Sequence, residues 1–170
     1  MASTTNARSK IDAELQRIEE DCIHSGKAHF NAGIRWARYH YWLGIPSVVL
    51  SALAGLAFLK DCPEAAGAMS GIVAIFTSLI TFLKPSERSV SHKHSGDQYL
   101  SLRNDARVFR EIKLPITSDE QAVIDGLDEF TKRRNDLNQA SAQFSQGDFE
   151  KARQGIDAGE AAHRVDRSNN

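Results

Sequence analysis

Cysteine is nearly absent from this 170-residue chain: it has two, Cys22 and Cys62, 40 positions apart. They build neither a disulfide framework nor a metal-ligand spacing, so a reduced, cytoplasmic setting is expected for most of the chain. An excess of charge is missing too. Lys and Arg total 21 against 22 Asp and Glu, a net charge of −1 that is too near neutral to argue for nucleic acid or an acidic partner, and no nucleic acid is expected. There is no P-loop, no GxSxG and no glycine-rich loop between a strand and a helix. The carboxylate pairs Glu19-Glu20 and Asp128-Glu129 are sequence neighbours and do not face each other on a helix. No catalytic residue, cofactor or metal is expected, and the chain reads as a non-enzyme. The charged first 40 residues contain no apolar core or processing site of a cleavable signal, so any membrane segment would be retained.

What is there is a strong partition. Residues 42–59 and 65–83 contain no charged side chain, although 25% of the whole chain is charged. The first stretch is eighteen residues, about 27 Å as a helix, close to the roughly 30 Å of bilayer hydrocarbon. It carries nine Leu, Ile, Val or Phe residues, each favouring insertion by roughly 0.3–0.6 kcal/mol. Tyr39, Tyr41 and Trp42 at its start have the composition of an interfacial aromatic belt. Two such stretches in so short a chain leave too little protein to cover them, so a buried soluble helix pair is disfavoured.

Only Lys60-Asp-Cys-Pro-Glu64 lies between them, which requires an antiparallel hairpin. Lys60 is the one basic residue in that turn. Lys27, Arg35 and Arg38 precede the hairpin, and Lys84, Arg88, Lys93 and Arg103 follow it. Seven against one places both termini in the cytoplasm of a multi-pass inner-membrane protein, with Cys62 outside.

The expected fold is all-α: an N-terminal cytoplasmic helix (1–41), the transmembrane hairpin (42–83), cytoplasmic helices (84–145) and a polar tail that is a weak helix or disordered (146–170). In the first arm Ile11, Leu15, Ile18 and Cys22 form a short coiled-coil-like seam. Gly26 and Gly33 weaken that helix, and Phe30, Ile34, Ala37 and Tyr41 continue its apolar face. Pro85 should end or kink the second spanning helix. A helix then runs from about 87 to 113 with Tyr99, Leu102, Ala106, Phe109 and Lys113 on one face, and Pro115 stops it. Thr117 with Glu120, and Ser118 with Gln121, have capping-box spacing and start the next helix. Val123, Leu127, Phe130, Arg134, Leu137 and Phe144 lie on its inner side, so three helices with one apolar face each form a cytoplasmic bundle. Residues 84–113 hold seven basic against four acidic side chains, as suits anionic headgroups, and residues 114–170 hold seven against eleven.

His92 and His94 form the most tempting cluster for chemistry. Positions i and i+2 cannot both point one way on a helix, and no cysteine or carboxylate lies at ligand spacing, so a polar membrane-proximal segment is favoured over a metal site. His24, His29 and His40 are isolated and read as structural. Each spanning segment also carries a stripe of small and hydroxyl residues at three-and-four spacing. In the first it is Gly44, Ser47, Ser51 and Gly55; in the second Gly67, Ser70, Ala74, Thr77 and Thr81, with Gly67-xxx-Gly71 a small-xxx-small contact pattern. The stripes pack helices, within the hairpin or between copies, or they line a water-filled path in an oligomer.

One further pattern spans roughly residues 10 to 145. It comprises His29-Phe-Asn-Ala-Gly-Ile-Arg-Trp-Ala-Arg-Tyr-His-Tyr-Trp-Leu-Gly44, the small-residue hairpin, Lys84-Pro-Ser-Glu-Arg88, and His92-Lys-His-Ser-Gly-Asp-Gln-Tyr-Leu-Ser-Leu-Arg-Asn-Asp-Ala-Arg107. It resembles the SLATT domain, a two-transmembrane effector family associated with bacterial nucleotide-signalling conflict systems. The resemblance implies a homo-oligomer in the lipid bilayer that opens pores on an infection signal. The chain carries no fused nucleotide sensor or synthetase, so a nucleotide second messenger or a partner sensor protein would supply the trigger. The rival expectation is a non-catalytic membrane anchor whose helices recruit a soluble partner.

Overall fold

The computed structural model describes residues 2–161, all helix and connecting turns, with no strand among them. The order is α1 (Ala2–Leu59), α2 (Pro63–Leu83), α3 (Pro85–Val108), a π-helical turn (Phe109–Lys113), α4 (Leu114–Ile116), α5 (Glu120–Ala140) and α6 (Gln146–Asp157). They form two compact units, residues 33–91 and the remainder.

The first arm and the first charge-free stretch are one helix of 58 residues. Gly26 and Gly33 do not interrupt it. Gly26 instead makes a close helix crossing possible: a Cβ there would meet the Gly96 carbonyl oxygen and Tyr99 Cβ, each at 3.4 Å. A Cβ on Gly96 would come within 3.0 Å of the Phe30 ring and 3.2 Å of the Gly26 carbonyl oxygen. The two glycines therefore let α1 and α3 approach closely, because neither carries a side chain to hold them apart.

In the unit comprising residues 2–32 and 92–161, the core joins Leu15, Ile18 and Cys22 of α1 to Tyr99, Leu102 and Ala106 of α3, Leu114, and Val123 and Phe130 of α5. Ile11, Phe109, Leu127 and Leu137 pack around it. Each large apolar side chain so buried contributes roughly 1.5–3 kcal/mol. Ion pairs flank the core: Arg110 Nε donates to Glu19 at 2.6 Å, and Arg134 reaches Asp21 at 3.2 Å.

Two local expectations are corrected, and a third is narrowed to its helical alternative. Pro115 does not stop the helix where expected; it lies inside α4, and the chain leaves helix only after Ile116. Proline removes one N–H and crowds the preceding turn. Just before it the backbone widens into the π turn, in which the Leu114 N–H bonds the Phe109 carbonyl. The extra residue carries buried Leu114 into the core position that plain α spacing assigns to Lys113, which is exposed. α5 is capped by neither Thr117 nor Ser118. Asp119 is its N-cap, and its carboxylate accepts from the N–H groups of Gln121 and Ala122. Residues 146–157 are a formed helix, begun by a reciprocal capping box between Ser145 and Asp148 and anchored by buried Ala152. The part of the expected tail from 162 to 170 lies outside the described residues.

In the unit of residues 33–91, α2 starts with Pro63 at its first turn, beside Glu64, which suits the positive end of the helix dipole. It ends at Lys84, whose left-handed backbone (φ 47°) lets its N–H bond the Ile80 carbonyl, and Pro85 opens α3. Asp61, also left-handed (φ 57°), makes the hairpin turn, and the Cys62 N–H closes it on the Ala57 carbonyl at 3.0 Å. The buried Ser89 hydroxyl donates to the Gly33 carbonyl at 2.8 Å and ties α3 to α1. Arg88 lies over the Trp36 ring at 4.7 Å.

Candidate functional site

Two helical stretches are long and apolar enough to cross a membrane, and only 11% and 6% of their most apolar windows are buried. The core helix of a soluble protein would be covered. Here Trp42 is 72% exposed, Leu59 79% and Phe82 85%. The least exposed positions recur at helical spacing: Ser47, Leu50, Ala54 and Ala57 on α1, and Ala66, Met69, Val73, Phe76, Ile80 and Leu83 on α2. Those lines mark the sides that the two antiparallel helices turn toward each other.

The sequence-predicted stripes fall mostly elsewhere. Ser47 alone is on the inner line, and its hydroxyl donates to the Leu43 carbonyl at 2.7 Å, one position past the carbonyl of Trp42 that Pro46 leaves without a helical N–H. Gly44 is half-buried, whereas Ser51 and Gly55 are exposed. On α2, Gly67, Ser70, Gly71, Ala74, Thr77 and Thr81 are all exposed, and a Cβ on Gly44, Gly55, Gly67 or Gly71 would meet nothing within 4 Å. Within one chain, then, these glycines do not serve a close helix contact. Ser70, Ala74, Thr77, Ser78 and Thr81 line an open groove along the outer side of α2. Two of its hydroxyls bond back to their own helix, Ser78 to the Ala74 carbonyl at 2.7 Å and Thr81 to the Thr77 carbonyl at 2.8 Å.

The histidines separate by environment. His94 is exposed, whereas His92 is buried and its Nδ1 lies 3.0 Å from Nδ1 of buried His29. One ring donates and the other accepts, which requires at least one to be neutral. The Tyr99 ring stacks on His29 at 5.5 Å and Phe144 stands edge-on to it at 5.1 Å. Burial, and then the neighbouring His92, push the His29 pKa from 6.5 down to about 4. Burial also drives the Cys22 thiol up to about 12, with Asp21 adding to the effect, so Cys22 is a core side chain and not a nucleophile. Among the described residues no three His, Cys, Asp or Glu side chains gather as a metal site.

The histidine pair is what reasoning from the sequence missed. A signal for half of it was present: His29 sits seven residues after Cys22 and so continues the Leu15–Ile18–Cys22 seam. The face does not continue through Phe30, Ile34, Ala37 and Tyr41. Ala28, His29, Ala32 and Gly33 are the buried positions there, and Ile34 and Tyr41 are 50% and 61% exposed. Compared with known protein families, with curated proteins and with solved structures, the chain finds no match in any of the three.

Proposed function

We propose that this chain is a membrane effector that inserts as a hairpin, assembles with copies of itself and opens a conducting path when activated. The observation that carries the proposal is the outward face of α2: its charge-free stretch, residues 65–83, presents Ser70, Thr77, Ser78 and Thr81 away from its hairpin partner. In an assembly of hairpins that face meets either another helix or water. The Gly67-xxx-Gly71 pair suits close contact between helices, and a row of hydroxyls suits a wet lining. The excess of basic residues on the flanking arms over the turn supports placing both ends in the cytoplasm. The SLATT resemblance supports a role in a bacterial antiviral or conflict system, with a nucleotide second messenger or a sensor protein as trigger.

A second reading, a non-catalytic anchor, draws on one specific feature. The hydroxyls of Ser78 and Thr81 already bond their own helix, so they can also face lipid without an unmet donor. Dye-loaded liposomes separate the two. An effector releases the dye once the protein is inserted and activated, and its induced expression collapses the membrane potential of cells. An intact potential at growth-arresting expression would refute the pore and leave the anchor.

A further inference from the structure

We propose that the cavity walled by α1, α3 and the α5–α6 connection is a binding site for a small, uncharged, planar ligand that presents an amide or ring-nitrogen edge. The cavity measures about 350 Å³. That is the low end of the roughly 300–1,000 Å³ range of small-molecule sites. Its walls come from Ser25 and His29 of α1, Tyr99 of α3, Asn138 of α5, and Gln143 and Phe144 beyond it.

Charge selects the ligand class first. No Asp, Glu, Lys or Arg lines the cavity. A phosphate, carboxylate or ammonium group would enter without a counter-charge, which is unfavourable at the inner end of the cavity, where His29 and Tyr99 are buried. His29 does not supply one near neutral pH, because its burial among rings holds it in the neutral form.

Shape and hydrogen bonding select it further. Three rings gather here, with His29 between stacked Tyr99 and edge-on Phe144, and Phe144 is backed by the parallel ring of Phe149 at 6.2 Å. Flat ring faces and edges favour a planar guest. The Tyr99 hydroxyl donates to Asn138 Oδ1 at 2.7 Å. That bond fixes the amide so that its NH₂ is the group left to donate. The Ser25 hydroxyl and the Gln143 amide also line the cavity and add both donors and acceptors. A guest with complementary donors and acceptors on one edge satisfies them together.

The test uses the full chain purified in detergent, with nicotinamide, uracil and adenine as neutral probes and nicotinate as the charged match for nicotinamide. Binding is read by ligand-observed NMR and by the rise in melting temperature. At least one neutral probe is expected to bind at millimolar concentration or below, with nicotinate at least about tenfold weaker than nicotinamide. Asn138→Leu and Gln143→Met are expected each to weaken that binding by about tenfold while leaving the melting temperature of the free protein within a few degrees. The second variant keeps the test decisive if the first disturbs α5. Binding of none of the neutral probes, nicotinate binding as well as nicotinamide, or unchanged binding in a folded variant would each overturn the proposal.

Discussion

Nδ1 of His29 and Nδ1 of His92 lie 3.0 Å apart although the residues are 63 positions apart in the chain, and both side chains are almost wholly buried. A pair of imidazoles at this distance shares one hydrogen between two nitrogens. Adding a proton to one ring puts a positive charge into a dry site, and protonating both replaces the acceptor with a second donor. The arrangement therefore joins α1 to α3 only while at least one ring stays neutral.

A pH dependence follows, with a definite sign. The unfolded chain takes up a proton at His29 near pH 6.5, but the folded chain resists until about pH 4. Between those values the unfolded state binds more protons, so stability falls as pH drops through that window. The slope from this group is at most about 1.4 kcal/mol per pH unit. Melting temperature should hold between pH 8 and 7 and decline from about 6.5 downward, and His29→Gln should flatten the part of the decline above pH 5. Equal slopes in the two proteins would show that the pair does not titrate as described.

Gly126 tests the packing around the π turn. A Cβ at this position would lie 2.4 Å from the tip of the Phe109 ring, which is itself held edge-on against Phe130 at 5.3 Å. Alanine is the better helix former by about 1 kcal/mol, but overpacking a core costs about 1–3 kcal/mol. Gly126→Ala should therefore lower stability, and Phe109→Leu should relieve the clash. In a double-mutant cycle by chemical denaturation, the pair of substitutions is expected to lose less than the sum of the two.

The cap of α5 separates two residues that look equivalent in sequence. Asp119→Ala removes the carboxylate that accepts from Gln121 and Ala122, and should cost about 1 kcal/mol. Ser118→Ala should fall within about 0.5 kcal/mol of the parent. Thermal unfolding followed by circular dichroism ranks them.

On the outer face of α2, Thr77→Val with Thr81→Val replaces two exposed hydroxyls by methyl groups of similar size. Stability should move by less than about 0.5 kcal/mol for each. Single-channel or liposome-flux recordings should lose conductance if these hydroxyls face water, whereas an anchor would be indifferent.

Much of this architecture is readable in the residues because it rests on strong local signals. Charge-free windows of spanning length, Pro63 and Pro85 beside the second one, and Leu15, Ile18 and Cys22 at seam spacing all act within a few turns of helix. What stayed hidden depends on contacts between distant residues. Gly26 looks like a weak point until Gly96 is found opposite it. Lys113 looks like a face position until the π turn before Pro115 inserts a residue. Three consecutive residues, Thr117, Ser118 and Asp119, can all cap a helix by type, and only backbone geometry chooses. The stripes were legible as faces of small residues, but which side of the hairpin they occupy follows from the pairing of α1 with α2. The His29–His92 pair needs the register between α1 and α3, which no spacing along one helix contains.

The oriented hairpin is the claim on which the rest depends, and the two native cysteines allow it to be measured without substitution. Cys62 is exposed in the turn between α1 and α2, whereas Cys22 is buried with its thiol pKa pushed up to about 12. A membrane-impermeant maleimide applied to intact spheroplasts near pH 7.5 should label one site, Cys62, and the same reagent applied to sealed inside-out vesicles should label neither. Labelling of Cys62 in the inside-out vesicles and not in spheroplasts, or recovery of the protein in the soluble fraction, would contradict the account.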